Sequence, residues 1–168
     1  MKDKRIILVA VVVLALAGWV VRVAFFPPDE NQKIETVIRF AAAAFAEKSS
    51  KAVGDFLTQD FSIHHAADRD STLDYLKMFF FKVRDLDVNI KYIKHEVDKL
   101  PASATETRVL VVAVITGDVD GQKFQAFSGQ GADTAILSMR KEEDRWLVSS
   151  ARALDTSEPE KAFEQLGK

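Results

Sequence analysis

Phe79-Phe80-Phe81-Lys82-Val83-Arg84-Asp85-Leu86-Asp87-Val88-Asn89-Ile90-Lys91-Tyr92 is where the hydrophobic period of the chain changes. Up to Val83 the apolar residues recur at helical steps: Leu73, Leu76, Phe80 and Val83 form one stripe, with Phe79 beside it. From Leu86 the period is two. Leu86, Val88, Ile90 and Tyr92 alternate with Asp87, Asn89 and Lys91, as in a strand with one buried face. Ile93, His95 and Val97 continue in the opposite phase, which predicts a bulge near Tyr92. Helices before this point and strands after it make an α+β plan.

Upstream, Ile34, Val37, Ile38, Ala41, Ala42 and Phe45 give a helix from Glu30 to Glu47 one apolar face, and Asp29 is its expected N-cap. Ser49 and Ser50 break and recap the chain before a short helix with Val53, Phe56 and Leu57 inward. Phe61 and Ile63 alternate in a brief extended segment, and Ala66 to Asp70 reads as a loop. Ser71 with Asp74 resembles a capping box for the third helix. Downstream, Thr105 to Thr116 is apolar on both faces from Val109 to Ile115 and reads as a central strand. Asp120-Gly121 signals a hairpin, and Lys123 to Phe127 and Ala135 to Lys141 are strand-like around a bend at Gly129 and Gly131. Glu142 to Arg145 is a charged turn, and Trp146 to Leu154 is the last strand. His95 is expected on the sheet surface, and Trp146 packed under the sheet. Three N-terminal helices packed on a strongly bent antiparallel sheet, a cone with an open mouth, is the expected architecture.

The N-terminus belongs to a different solvent. Ile6 to Phe26 is apolar apart from Arg22 and 21 residues long, about 31 Å as a helix, against a bilayer core of about 30 Å. Lys2, Lys4 and Arg5 precede it and Pro27, Pro28, Asp29 and Glu30 follow. The positive-inside rule then leaves the N-terminus in the cytoplasm and places the rest outside it, as a single-pass protein of the inner membrane. A second reading stays open: Ala15-Leu16-Ala17 has the form of a signal-peptidase site, and cleavage near Ala17 gives a secreted or periplasmic protein. Residues 1–28 are thus an anchor or signal peptide, 29–154 the folded domain and 155–168 a tail. In that tail Ser157-Glu158-Pro159-Glu160 reads as a helix start that Phe163 and Leu166 can dock.

The charge balance is −2, and residues 29–168 carry 19 basic against 24 acidic side chains, so no nucleic-acid partner is expected. The absence of cysteine excludes disulfides, thiolate zinc sites and thiol catalysis; neither a metal nor a cofactor is expected. Of the three consecutive aromatics, Phe80 belongs to the helical stripe and Phe79 can share it. Phe81 is left to solvent as a pocket lip or contact surface.

The order and spacing of these elements resemble the nuclear transport factor 2-like superfamily, the cone-shaped, cystatin-like fold shared with ketosteroid isomerase-like and SnoaL-like domains. The resemblance rests on Val37-Ile38-Arg39-Phe40-Ala41-Ala42-Ala43, on Val53 to Ile63 and on Arg145-Trp146-Leu147-Val148-Ser149-Ser150, and covers about residues 30 to 154. It implies three catalytic places in the isomerase branch. The tyrosine donor on the first helix is replaced here by Phe40. The general-base carboxylate is replaced by His65, preceded by His64. The protonated acid on a late strand is replaced by Leu137. Two donors are therefore missing, and oxyanion donors supply much of the rate of such enzymes.

Two functions follow from these residues. The favoured one is a non-enzymatic binding or interaction module of the cell envelope. The membrane holds it through residues 6–26, and it takes a small apolar ligand or an envelope protein at the cone mouth or open sheet face, where a homodimer can also form. The alternative is an isomerase- or lyase-like enzyme on a small apolar substrate, with His65 as general base. Phe40, His64, Phe81 and Leu137 are the pocket or contact candidates.

Overall fold

A computed structural model of the chain describes residues 28–63, 66–125, 133–154 and Phe163. The Ile6–Phe26 stretch lies outside them. Among the described residues no helix is long and apolar enough to cross a membrane.

Helix α1 (Glu30–Ala46) starts where Asp29 Oδ1 accepts the Gln32 N–H at 2.8 Å, the cap expected from sequence. Ser49 caps α2 (Ser50–Gly54) through Ala52 N–H. This helix ends at Gly54, so Phe56 lies in the following turn and Leu57 opens strand β1 (Leu57–Ile63) instead of lying on the helix. The expected loop from Ala66 to Asp70 is also corrected. Ala67–Asp68 forms a short strand, β2, antiparallel to β1, and α3 (Arg69–Lys82) begins directly after it. Asp68, not Ser71, is the cap: its Oδ1 accepts the Ser71 N–H at 2.9 Å. A carboxylate one residue ahead of the first turn outcompetes the later serine. Leu76 and Phe80 are buried on α3, whereas Val83, the fourth residue of the expected stripe, starts β3 (Val83–His95).

The remaining strands are β4 (Glu106–Val119), β5 (Gln122–Gln125), β6 (Asp133–Glu142) and β7 (Arg145–Ala153). The sheet order is β2-β1-β7-β6-β4-β3, with β5 also paired to β4. Register slips between Ile90 and Tyr92, placing the bulge where the phase change predicts it. Asp120 and Gly121 both have positive φ, as do Glu143 and Asp144, so both hairpins turn on two residues in the twist-compatible primed geometry. Phe127, Gly129 and Gly131 lie outside the described residues.

The sheet is mixed, not purely antiparallel: β1 pairs with β7 in parallel. The local pattern of Phe61 and Ile63 carries no partner information. Placing β1 beside β7 covers the last strand's free edge and lets Phe61 join the core. That core lies between α1 and one sheet face and is built from Ile34, Ile38, Phe61, Val109, Met139 and Trp146. A second cluster, Ala44, Val53, Leu76 and Phe80, sits at the far end of α1 under α3. A few helices on one face of a curled mixed sheet is the α+β cone plan expected from sequence.

Candidate functional site

Close to the start of α1, one charge cluster is buried. Glu30 is 5% exposed, and the Trp146 indole N–H donates to its Oε2 at 2.7 Å. Lys33 Nζ lies 2.7 Å from Oε1 and Lys141 Nζ 3.3 Å from Oε2. Burial pushes this carboxyl up, but the hydrogen bonds from Lys33, Trp146 and Lys141 and the charge of Lys33 outweigh it, holding the pKa at about 2. The sequence marks Glu30 only as the first residue of the helical pattern. The overlooked signal is Trp146, whose buried N–H requires an acceptor. Its packing beneath the sheet is as expected, with 2% exposure.

Of the residues singled out from sequence, His64 and His65 lie outside the described residues. Phe40 does not line an interior pocket: it is 60% exposed, because Ile34 and Ile38 take the inward face of α1. Leu137 is half-buried and packs against the main core. Neither side chain carries a donor. Phe81 is 92% exposed, as its place beside the Phe80 stripe predicts. Met78 and Tyr75 are exposed one and two turns earlier on the same side of α3, opposite Leu76 and Phe80. Tyr75 stacks on Phe79, which meets Phe45 and Phe124, so the Tyr75 end of the stripe rests on an aromatic cluster. Phe124 reaches this position because Gly117 lacks a side chain; a Cβ there would come within 2.7 Å of the Phe124 ring.

The sheet face turned away from α1 carries a second arrangement. Register places Arg108 beside Ser138, Ser138 beside Ser150 and Ser150 beside Ser62, a polar row crossing four strands. Ser150 donates to Ser138 at 2.9 Å. Arg108 closes the row with a fork onto Glu96, and its hydrogen bonds keep the Glu96 carboxyl below its ordinary range. Arg140 Nη1 lies 2.8 and 2.9 Å from the two oxygens of Asp60, lowering that carboxyl likewise. These groups line an open depression of about 530 Å³. His95 departs from its expected place on the sheet surface. Its side chain is 12% exposed on the α1 side, with Nε2 3.2 Å from Glu35 Oε1. The bulge near Tyr92, which the phase of Ile93, His95 and Val97 predicts, turns it to the same side as Ile93. Among the described residues, no group of three or more His, Asp or Glu is placed to hold a metal ion.

Comparison with solved structures gives the fold. A protein from Novosphingobium aromaticivorans, named provisionally as a scytalone dehydratase, is similar with a TM-score of 0.64 at 14% identity, over 76% of this chain and 84% of that one. A Xanthomonas campestris protein, named provisionally as a calcium/calmodulin-dependent protein kinase II association domain, matches with a TM-score of 0.59 at 18% identity, over 76% and 89%. A Nostoc punctiforme protein of unknown function with a cystatin-like fold matches at 0.55 and 8% identity, over 74% and 89%. These likenesses show the fold alone, an α+β cystatin-like fold, which is the fold that the sequence resemblance implies. No family model matches the chain, nor does any curated protein. A binding or an enzymatic role fits this fold, and the fold does not choose between them.

Proposed function

We propose that the chain is a membrane-tethered, extracytoplasmic interaction module that docks an envelope protein on the outer side of α3. Phe81, 92% exposed, carries this reading together with Met78 and Tyr75. A buried Phe or Met gains about 1.5–3 kcal/mol over an exposed one, so a helix that presents both to water forgoes a gain that a partner can restore. The place of the stripe supports a protein partner over the bilayer. Residues 6–26 join the domain through only Pro27, Pro28 and Asp29, whereas α3 packs at the opposite end of α1, about 25 Å away for 17 residues. Dense packing of Trp146, Met139, Ile34 and Phe61 between α1 and the sheet argues against a small apolar ligand at that end of the cone. Tethering raises the module's effective concentration toward other membrane proteins.

The test is complementation of a strain lacking the chain. Phe81→Glu is expected to lose function with its unfolding temperature unchanged, and His65→Ala to keep it. An active Phe81→Glu beside an inactive, stable His65→Ala refutes the module and leaves the enzyme with His65 as base.

A further inference from the structure

Among the described residues three arginines are half-buried, and carboxylates close two of them. Arg108 forks onto Glu96, and Arg140 holds both oxygens of Asp60. Arg69 is the most buried of the three, 22% exposed against 31% and 34%, and has no such partner. Its Nη2 donates to the Gly54 carbonyl at 3.0 Å, and its Nε is buried with no acceptor. The one carboxylate within 4 Å among the described residues is that of exposed Asp70, 3.8 Å from Nη1. A guanidinium carries five N–H donors, and a charge taken out of water without a counter-charge is costly. The chain nonetheless makes room for it. Gly54 ends α2 without a side chain, and a Cβ there would come within 3.3 Å of Arg69 Nη2 and 3.1 Å of Leu73.

Arg69 lines a depression of about 280 Å³ between α2 and α3, together with Lys51 and Lys77 and against one carboxylate, Asp55. Lys51 is exposed and makes no ion pair or hydrogen bond among the described residues. Lys77 lies 2.7 Å from exposed Asp74, a surface pair that holds neither partner firmly. We propose that this depression binds a phosphoryl group, which Arg69 and Lys51 hold from the α3 and α2 walls with Lys77 beside them. Two cations without a counter-charge call for two negative charges. A tetrahedral phosphoryl group brings both and offers oxygens to both walls, whereas a carboxylate brings one charge in one plane. Inorganic phosphate and a phosphate monoester share this chemistry. The site does not depend on the docking stripe: Arg69, Leu73 and Lys77 follow one another at four-residue steps, on a separate side of α3 from Tyr75 and Met78.

The full chain in detergent, isotope-labelled for amide NMR, is titrated with inorganic phosphate and separately with glycerol phosphate, each against chloride at equal ionic strength. At least one of the two is expected to give saturable shifts at the amides of Lys51, Gly54 and Arg69 below about 10 mM, and chloride none. Tighter binding of the ester assigns the site to a phosphorylated solute, and tighter binding of phosphate to the free ion. Lys51→Ala is expected to weaken binding about fivefold and Arg69→Gln about tenfold or more. Lys82→Ala, at an exposed lysine of α3 outside the depression, is expected to change it by less than about twofold. The spread of amide shifts reports the folding of each variant in the same sample. Lys51 is exposed, so Lys51→Ala decides the question even where Arg69→Gln unfolds. No saturation by either phosphate, equal shifts with chloride, or undiminished binding by folded Lys51→Ala overturns the proposal. So does equal weakening by Lys82→Ala, which makes the effect one of net charge.

Discussion

Protonating Glu30 should unfasten α1 from β7. In the unfolded chain this carboxyl titrates near 4.5, and in the folded domain at about 2. Between these values the unfolded state holds a proton that the folded state does not. The stabilisation is therefore complete above pH 4.5 and is lost as pH falls toward 2. The gap corresponds to at most about 3 kcal/mol at neutral pH, because Glu30 itself is 5% exposed but its partner Lys33 is 40% exposed and solvent screens part of the attraction. Residues 29–168 should fold without the anchor, since 140 residues can bury a core, and in that fragment Trp146 is the only tryptophan. Urea unfolding followed by Trp146 fluorescence then reports directly on the partner of Glu30. At pH 7, Glu30→Gln should cost up to about 3 kcal/mol, because Lys141 and Lys33 lose their counter-charge. The difference from wild type should shrink below about 1 kcal/mol at pH 2. Asp60, Asp68 and Glu96 also titrate below their ordinary range, but they do so in both proteins and cancel in the difference. A wild-type-minus-variant difference that stays constant from pH 7 to pH 2 would refute the coupling of Glu30 to Lys33, Lys141 and Trp146.

Gly117→Val should destabilise the domain by about 1–3 kcal/mol in the same urea assay, because the new side chain displaces the Phe124 ring; an unchanged midpoint would show that Phe124 yields freely. Asp29→Ala should cost about 1 kcal/mol through the lost cap on Gln32 N–H, and Asp29→Ser should restore most of it; equal losses in both would place the effect elsewhere. The anchor is expected to be retained: the mature mass should include Met1, and alkaline carbonate should leave the chain in the membrane pellet, whereas a soluble product beginning at Gly18 would establish cleavage.

Local chemistry explains which elements were legible. Asp29 and Ser49 cap where short polar side chains precede apolar periodicity, and Asp120-Gly121 turns because both residues tolerate positive φ. The change of period after Arg84 and the slip at Tyr92 are properties of neighbouring residues, so they could be read without a partner. The exposure of Phe81 follows from Phe80 holding the inward position. These are determined by the sequence alone, since each depends on contacts within a few positions along the chain.

The tertiary structure decided what depends on partners distant in sequence. Nothing in Leu57–Ile63 specifies a parallel pairing with β7, because strand propensity is blind to the neighbour. Glu30 and Trp146 lie 116 positions apart, and only the docking of α1 onto the sheet turns a first-turn carboxylate into a buried one with its pKa near 2. His95 meets Glu35, 60 positions away in the chain, only once α1 docks on β3. Phe163, which the sequence offers only as a docking residue, meets Leu110 and Ile136 on the sheet face away from α1. Each of these requires closing a long loop, and it is the summed burial of the whole core, not any local preference, that makes the closure favourable.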